Sequence, residues 1–277
     1  MQQMTTTATT GTISLGDGRL YFEMAGAGKT LVFTHAGFVD SGMWDAQWAE
    51  FTKNYRVIRY DMRGYGKSDP VKAPISRRAD LYRLLKHLHV QRATLVGCSM
   101  GGEISLDFTL EHPELVSGLV LISATPSGFQ MQGEPPPTVM AMMEAAQNGD
   151  LARASELQIE IWVDGPFRQP GQVDPQVRQR AAEMNRIPVN NQTWATADLQ
   201  PLSPLDPPAV KRLSEVRVPT LVVAGAVDDP EILRAADVLA NGIKGAKKIV
   251  IPNTAHVPSM EKPAEFNQIL AEFVKRV

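Results

Sequence analysis

A single cysteine, Cys98, stands in the whole chain. An intramolecular disulfide and a cysteine-based zinc site are therefore both excluded. Excess charge of either sign is also missing: 28 Lys and Arg face 30 Asp and Glu, for a formal net charge of −2. Such a balance offers no polybasic surface, so neither nucleic acid nor a membrane is expected as a partner. No run reaches the roughly 18 apolar residues that span a bilayer. The opening MQQMTTTATTGT lacks the basic start and apolar stretch of a secretory signal. Its first ten residues or so read as a disordered, Thr-rich lead-in, and the expected location is the cytoplasm. No internal repeat is present, which removes solenoids and propellers.

What is present is ordinary globular material: 277 residues, 43% of them hydrophobic, enough for a large core without covalent staples. Apolar runs of strand length recur at 30–35 (TLVFTH), 55–61 (YRVIRYD), 93–99 (ATLVGCS), 118–124 (GLVLISA), 219–228 (PTLVVAGAVD) and 247–253 (KKIVIPN). Most are continuous in Val, Leu and Ile rather than alternating, as parallel strands covered on both faces require. Helical patterns lie between many of them, at 79–88 and 103–110 for example. This alternation predicts an α/β fold, a mostly parallel, doubly wound sheet of about eight strands. The segment 12–24, with Gly16-Asp17-Gly18 between two short runs, predicts an antiparallel hairpin. From 126 to 210 no strand pattern appears, and Met, Pro, Gln and Ala dominate. A stretch of that length cannot be one loop. It is expected to be a helical insertion after the sixth strand, with helices at 139–147 and 151–163, dividing a core of 1–125 and 211–277.

Gly97-Cys98-Ser99-Met100-Gly101-Gly102 follows a strand pattern and precedes a helical one. In a tight strand-turn-helix the central serine is forced into a strained backbone, and flanking glycines remove side chains that would collide. Ser99 then sits at a helix N-terminus, where free N–H groups favour developing negative charge. A plain Gly-rich turn with a capping serine is the bland alternative, which the strand before and the helix after oppose. Serine needs a base. Of the five histidines, His87, His89 and His112 fall in or beside helices, and His35 ends a strand. His256 occupies a short loop after the last strand, at the sheet edge expected for Ser99. Asp228, chosen over Asp229, follows the strand at 219–227 and can orient His256. Ser99, Asp228 and His256 are thus the expected catalytic triad, in the chain order of sheet hydrolases.

Three motifs together resemble the α/β-hydrolase superfamily, in its serine-nucleophile branch with a helical cap. They are GCSMGG, then Asp61-Met62-Arg63-Gly64-Tyr65-Gly66-Lys67-Ser68, and His256-Val257-Pro258 with Glu261, Pro263 and Phe266. The resemblance implies an oxyanion hole made by the Met100 N–H and a donor on the loop after 30–35. In His35-Ala36-Gly37-Phe38 that donor is Gly37 by register, with Phe38 the next candidate. Ala36 departs from the family's usual glycine, and His35 is expected to hold this loop. Relatives with an aspartate nucleophile, the haloalkane dehalogenases and epoxide hydrolases, are set aside by Ser99.

The insertion is expected to control access. Met140, with Val139, Met142 and Met143, can form an adaptable apolar entrance, and Trp162 and Val257 are further candidates for the substrate pocket. Trp162 and Phe167 serve equally well as packing residues. No cluster of Arg or Lys there suits phosphate. The expected function is a serine hydrolase of small, largely apolar carboxylic esters or lactones, acting through an acyl-enzyme without metal or organic cofactor. The alternatives are a carbon–carbon bond hydrolase or cofactor-free perhydrolase with the same triad, and a ligand receptor that reuses the fold. Carbon–carbon hydrolysis needs a cation for the substrate carboxylate, and Arg168, Arg178 and Arg180 are the arginines to consider. Oligomeric state is open between monomer and homodimer.

Overall fold

A computed structural model describes residues 8–277. Strands β1 (Thr9–Ser14) and β2 (Arg19–Ala25) form the expected hairpin, closed by Leu15 N–H donating to Gly18 O at 2.8 Å. The Thr-rich lead-in is shorter than expected. Thr9 and Thr10 already pair with Met24 and Glu23, since a β-branched residue suits a ladder as well as it suits a tail; the lead-in at 1–7 lies outside the described residues.

The remaining strands are β3 (Thr30–Thr34), β4 (Arg56–Tyr60), β5 (Ala93–Cys98), β6 (Val116–Ile122), β7 (Thr220–Gly225) and β8 (Lys247–Ile251). Together the eight form one sheet in the order β1-β2-β4-β3-β5-β6-β7-β8. All pairs from β4 onward are parallel. Both β5 and β7 are buried at every position, which explains their unbroken apolar sequences.

The two-residue period of the strands divides the core. Val32, Leu95, Leu119 and Val222 point to one face, against α2 (Arg77–His87), α3 (Met100–Glu111) and α7 (Pro230–Gly242). Leu31, Phe33, Val96, Val120 and Val223 point to the other, against α1 (Asp45–Phe51) and α9 (Pro263–Val274). At about 25 cal/mol per Å² of apolar area removed from water, these two layers are the main stabilising term.

Between β6 and β7 the chain forms only helices and loops: α4 (Pro137–Gln147), α5 (Leu151–Ile159) and α6 (Pro175–Asn190) are its main elements. The helix expected at 151–163 changes character after Ile159. Residues Glu160–Asp164 form a π-helical turn that ends at Gly165, with φ of 74°. A second π-turn covers Trp194–Asp198. Ile159, Val163, Ala181 and Met184 extend the second core layer into the insertion. None of the helices described is long and apolar enough to cross a membrane.

Candidate active site

Strand β5 ends at Cys98 and α3 begins at Met100, so one residue makes the whole turn. Ser99 takes φ 53° and ψ −121°, a conformation that costs a non-glycine residue on the order of 1–3 kcal/mol. Its neighbours hold it there. The Ser99 N–H donates to Ile122 O at 2.8 Å, and Ser99 O accepts from Gly102 and Glu103. A Cβ on Gly97 would strike Gly101 O, and one on Gly101 would strike Thr34 O and His35 O. The glycines are therefore required by β3 and α3 crossing close to the turn.

Strands β7 and β8 bring the other two residues together. A side chain at Gly225 would collide with Ala255 O and Thr254 O, so only glycine lets the loop after β8 fold down onto the end of β7. Val227 N–H then donates to Thr254 O at 3.0 Å. Asp228 and His256 are each 1% exposed, and Nδ1 of His256 lies 2.9 and 3.2 Å from the two Asp228 oxygens. Asp229 takes a different task and caps α7, accepting from Glu231 N–H at 2.8 Å. With Nδ1 bound to the carboxylate, Nε2 is the free basic nitrogen of the imidazole. It is buried without a partner, so the Ser99 hydroxyl and Nε2 are not hydrogen-bonded in this conformation. Such contacts are often long in ligand-free sites and tighten with substrate. The two loops do adjoin: Cys98 Sγ lies 3.6 Å from His256 O. Burial pushes this thiol well above its usual pKa.

The loop after β3 carries the next group. His35 is wholly buried, and burial lowers its pKa to about 4. Its Nδ1 donates to Ala36 O at 2.8 Å, and its Nε2 accepts from Met62 N–H at 2.9 Å; the tautomer follows from these partners. His35 therefore ties the loop to the 61–68 segment and is not free to act as a base. Gly37 rests against Met100, whose Cε would lie 3.1 Å from a Cβ built on Gly37. Neither the Gly37 nor the Phe38 N–H donates to another described residue.

Over the imidazole lies Trp162, from the insertion, with ring centroids 4.6 Å apart; Phe38 lies 6.4 Å from both rings. Val257 is fully buried in the second core layer and borders neither cavity. Met140 is not where it was expected. It is 53% exposed, because Met142, Met143 and Ala146 share one side of α4 and Met140 falls on another. Those three, with Gly37, Tyr65, Val189 and Trp194, border a largely apolar cavity of about 480 Å³. A second cavity, of about 460 Å³, is bordered by Met100, Arg77, Arg78, Glu103 and Asp107. Burial pushes Glu103 up to about 7 and Asp107 to about 6.

The arginines considered for a substrate carboxylate are engaged elsewhere. Arg168 pairs with Glu261 at 2.6 Å, Arg178 with Asp164 at 3.0 Å and Arg180 with Asp45 at 3.3 Å. Glu261 also accepts from Ala255 N–H at 2.7 Å, so Arg168 and Glu261 clamp the insertion to the loop that carries His256. Sequence spacing could not reveal this clamp, though Glu261 stands in the motif after His256. Among the described residues no three His, Cys, Asp or Glu side chains are grouped as a metal site needs.

The comparisons with known proteins bear on the fold. The family model described as alpha/beta hydrolase fold matches residues 29–263. The chain is 25% identical to a pimeloyl-[acyl-carrier protein] methyl ester esterase of Yersinia enterocolitica, over 93% of this chain and 98% of that one. It is 28% identical to the 2-hydroxy-6-oxononadienedioate/2-hydroxy-6-oxononatrienedioate hydrolase of Escherichia coli strain K12, over 93% and 91%. Among solved structures it resembles a thermophilic esterase from Thermogutta terrifontis, at 25% identity and a TM-score of 0.76, covering 98% of each chain. A profile that spans most of the chain, on an eight-stranded sheet of this order, establishes that the chain belongs to the α/β-hydrolase fold family.

Proposed function

We propose that this hydrolase cleaves small, largely apolar carboxylic esters or lactones with Ser99 as nucleophile, His256 as base and Asp228 as its orienting acid. The observation that carries the reading is the buried Asp228–His256 pair, its Nε2 without a partner, on a loop whose backbone meets Cys98 beside a serine held at a strained strand-helix turn. Ser99 Oγ attacks the carbonyl carbon as its proton passes to Nε2. The charge that develops on the former carbonyl oxygen is met by the N–H groups of Met100 and of Gly37, with Phe38 as the alternative. The carbon–oxygen bond to the leaving group then breaks, and His256 returns the proton to the departing alkoxide. Water, deprotonated by the same nitrogen, cleaves the acyl-enzyme and frees the acid. The apolar cavity beside Gly37 has a size common for small-ligand sites.

A second reading keeps these residues and cleaves a carbon–carbon bond beside a ketone. Two observations favour it: the Escherichia coli relative, and the Arg77 Nη2 group, buried without a partner at the border of the second cavity. Parallel assays on p-nitrophenyl butyrate and on a vinylogous diketo acid separate the two. Ester turnover that falls by roughly 10⁴-fold or more in Ser99→Ala is the expected result. Full activity in that variant sinks the mechanism.

A further inference from the structure

The phenol of Tyr65, in the 61–68 loop, is fully buried and gripped on both sides. The His35 imidazole meets it edge-on at 5.1 Å between centroids, and the Arg77 guanidinium lies 5.1 Å from the ring centre. Its hydroxyl lies 2.9 Å from Gly37 O and 2.8 Å from Asp198 Oδ2. Asp198 belongs to the helical insertion and accepts from Arg77 Nε at 2.6 Å. The side chains of Arg77 and Asp198 are 7% and 4% exposed, and a pair this deep holds only while both partners stay. Burial pushes the Tyr65 hydroxyl well above its usual pKa, so it keeps its proton.

The carbonyl of Gly37 and the N–H of Phe38 belong to one planar trans peptide and point opposite ways. A hydrogen bond to that carbonyl therefore sets the direction of the Phe38 N–H. The preceding peptide is set in the same manner, because His35 Nδ1 donates to Ala36 O, which shares its plane with the Gly37 N–H. Both loop donors are thus aimed from behind, one by an imidazole of the core and one by a phenol whose other partner sits on the insertion.

The geometry points to Tyr65 and Asp198 as positioning residues for the oxyanion loop, which is fully aimed only when the insertion is seated. This rests on the reading above, in which that loop supplies an oxyanion donor. The phenol has one proton and two acceptors, and Arg77 draws on the charge of Asp198, which leaves Gly37 O able to compete. Asp198 ends the same π-turn whose Trp194 borders the apolar cavity. A ligand that presses on this turn acts on the hydrogen bond that aims the loop.

The test compares Tyr65→Phe, Asp198→Ala, their double variant and Asp198→Asn, by kinetics on p-nitrophenyl butyrate and by amide exchange of the 35–39 loop. Each of the first two should lower kcat roughly tenfold to a hundredfold with little change in KM. The double variant should be no slower than the slower single one, because both act through one contact. Asp198→Asn should recover most of the rate, since its amide still hydrogen-bonds the phenol oxygen and keeps the ring anchored against Gly37 O, an anchor that Asp198→Ala removes. Loop exchange should quicken while that of β5 and β6 holds. Unchanged kcat, multiplying losses, or loop exchange equal to wild type overturns the inference. If wild type cleaves no ester, the functional reading fails alone, and loop exchange still decides whether Tyr65 and Asp198 position the loop. If Asp198→Ala does not fold, Tyr65→Phe, which keeps the Arg77–Asp198 pair, carries the same expectations.

Discussion

At the carboxyl edge of the sheet, Gly97, Gly101 and Gly225 leave no room for a methyl group, whereas Met142, Met143 and Trp194 in the insertion border open space of about 480 Å³. One region is held by backbone crossing backbone, the other by flexible side chains around a cavity. Where close approach fixes the backbone, the residues beside it have little room to shift. Where thioethers line a void, shape can change without disturbing the chemistry. Under the proposed function, this contrast would place bond-making at the sheet edge and choice of substrate in the insertion.

The strongest challenge to that division is Asp228→Asn. It leaves the fold intact yet disturbs the tautomer and charge of His256, so kcat for an ester should fall by roughly 10⁴-fold; a loss under tenfold would mean the sheet edge does not perform the chemistry. Next comes Arg168→Ala, which strands Glu261 in the clamp between the regions. Denaturant unfolding should show a loss of about 3 kcal/mol, and a loss below 0.5 would mean the two regions hold together by apolar packing alone.

Smaller still is the effect of Met142→Ala. It enlarges the apolar cavity, so the ratio of kcat/KM for octanoyl over butyryl esters should rise, by up to about tenfold. A fall in kcat for every chain length would place chemistry, not choice, in the insertion. The least effect is that of Glu103→Gln. Burial raises this carboxyl from 4.5 to about 7, so the folded state holds a proton that the unfolded chain releases between those values. The stability this provides is complete below pH 4.5 and lost as pH rises through 7. The Gln variant should gain on the order of 1 kcal/mol over wild type at pH 8 and nothing near pH 4.

The same contrast explains what the amino-acid order revealed. Strands β3 to β8 were legible because burial on both faces demands unbroken apolar runs, and the turn at Ser99 because steric need writes glycine at fixed offsets. The pairing of Asp228 with His256 was legible because both are polar residues in loops that follow apolar strands. The insertion was legible as an absence of strands and in two of its helices, α4 and most of the length expected for α5. Met140 does not share the cavity side of α4 with Met142 and Met143, a difference hidden in sequence because a helix rich in Met and Ala shows little sidedness. Tyr65 and Asp198 stand 133 residues apart, and Arg168 and Glu261 stand 93 apart. Pairings of that kind leave no periodic trace, so Arg168 looked like a free cation and Tyr65 like one more letter of a motif.

Cys98 has a practical corollary. Its thiol is fully buried beside the turn at Ser99, so maleimide reagents will pass over it while the protein is folded. A fluorophore attached at Met140→Cys, on the open side of α4, would be the sole label on each molecule. Its emission would then report whether the surroundings of α4 change when a ligand is added.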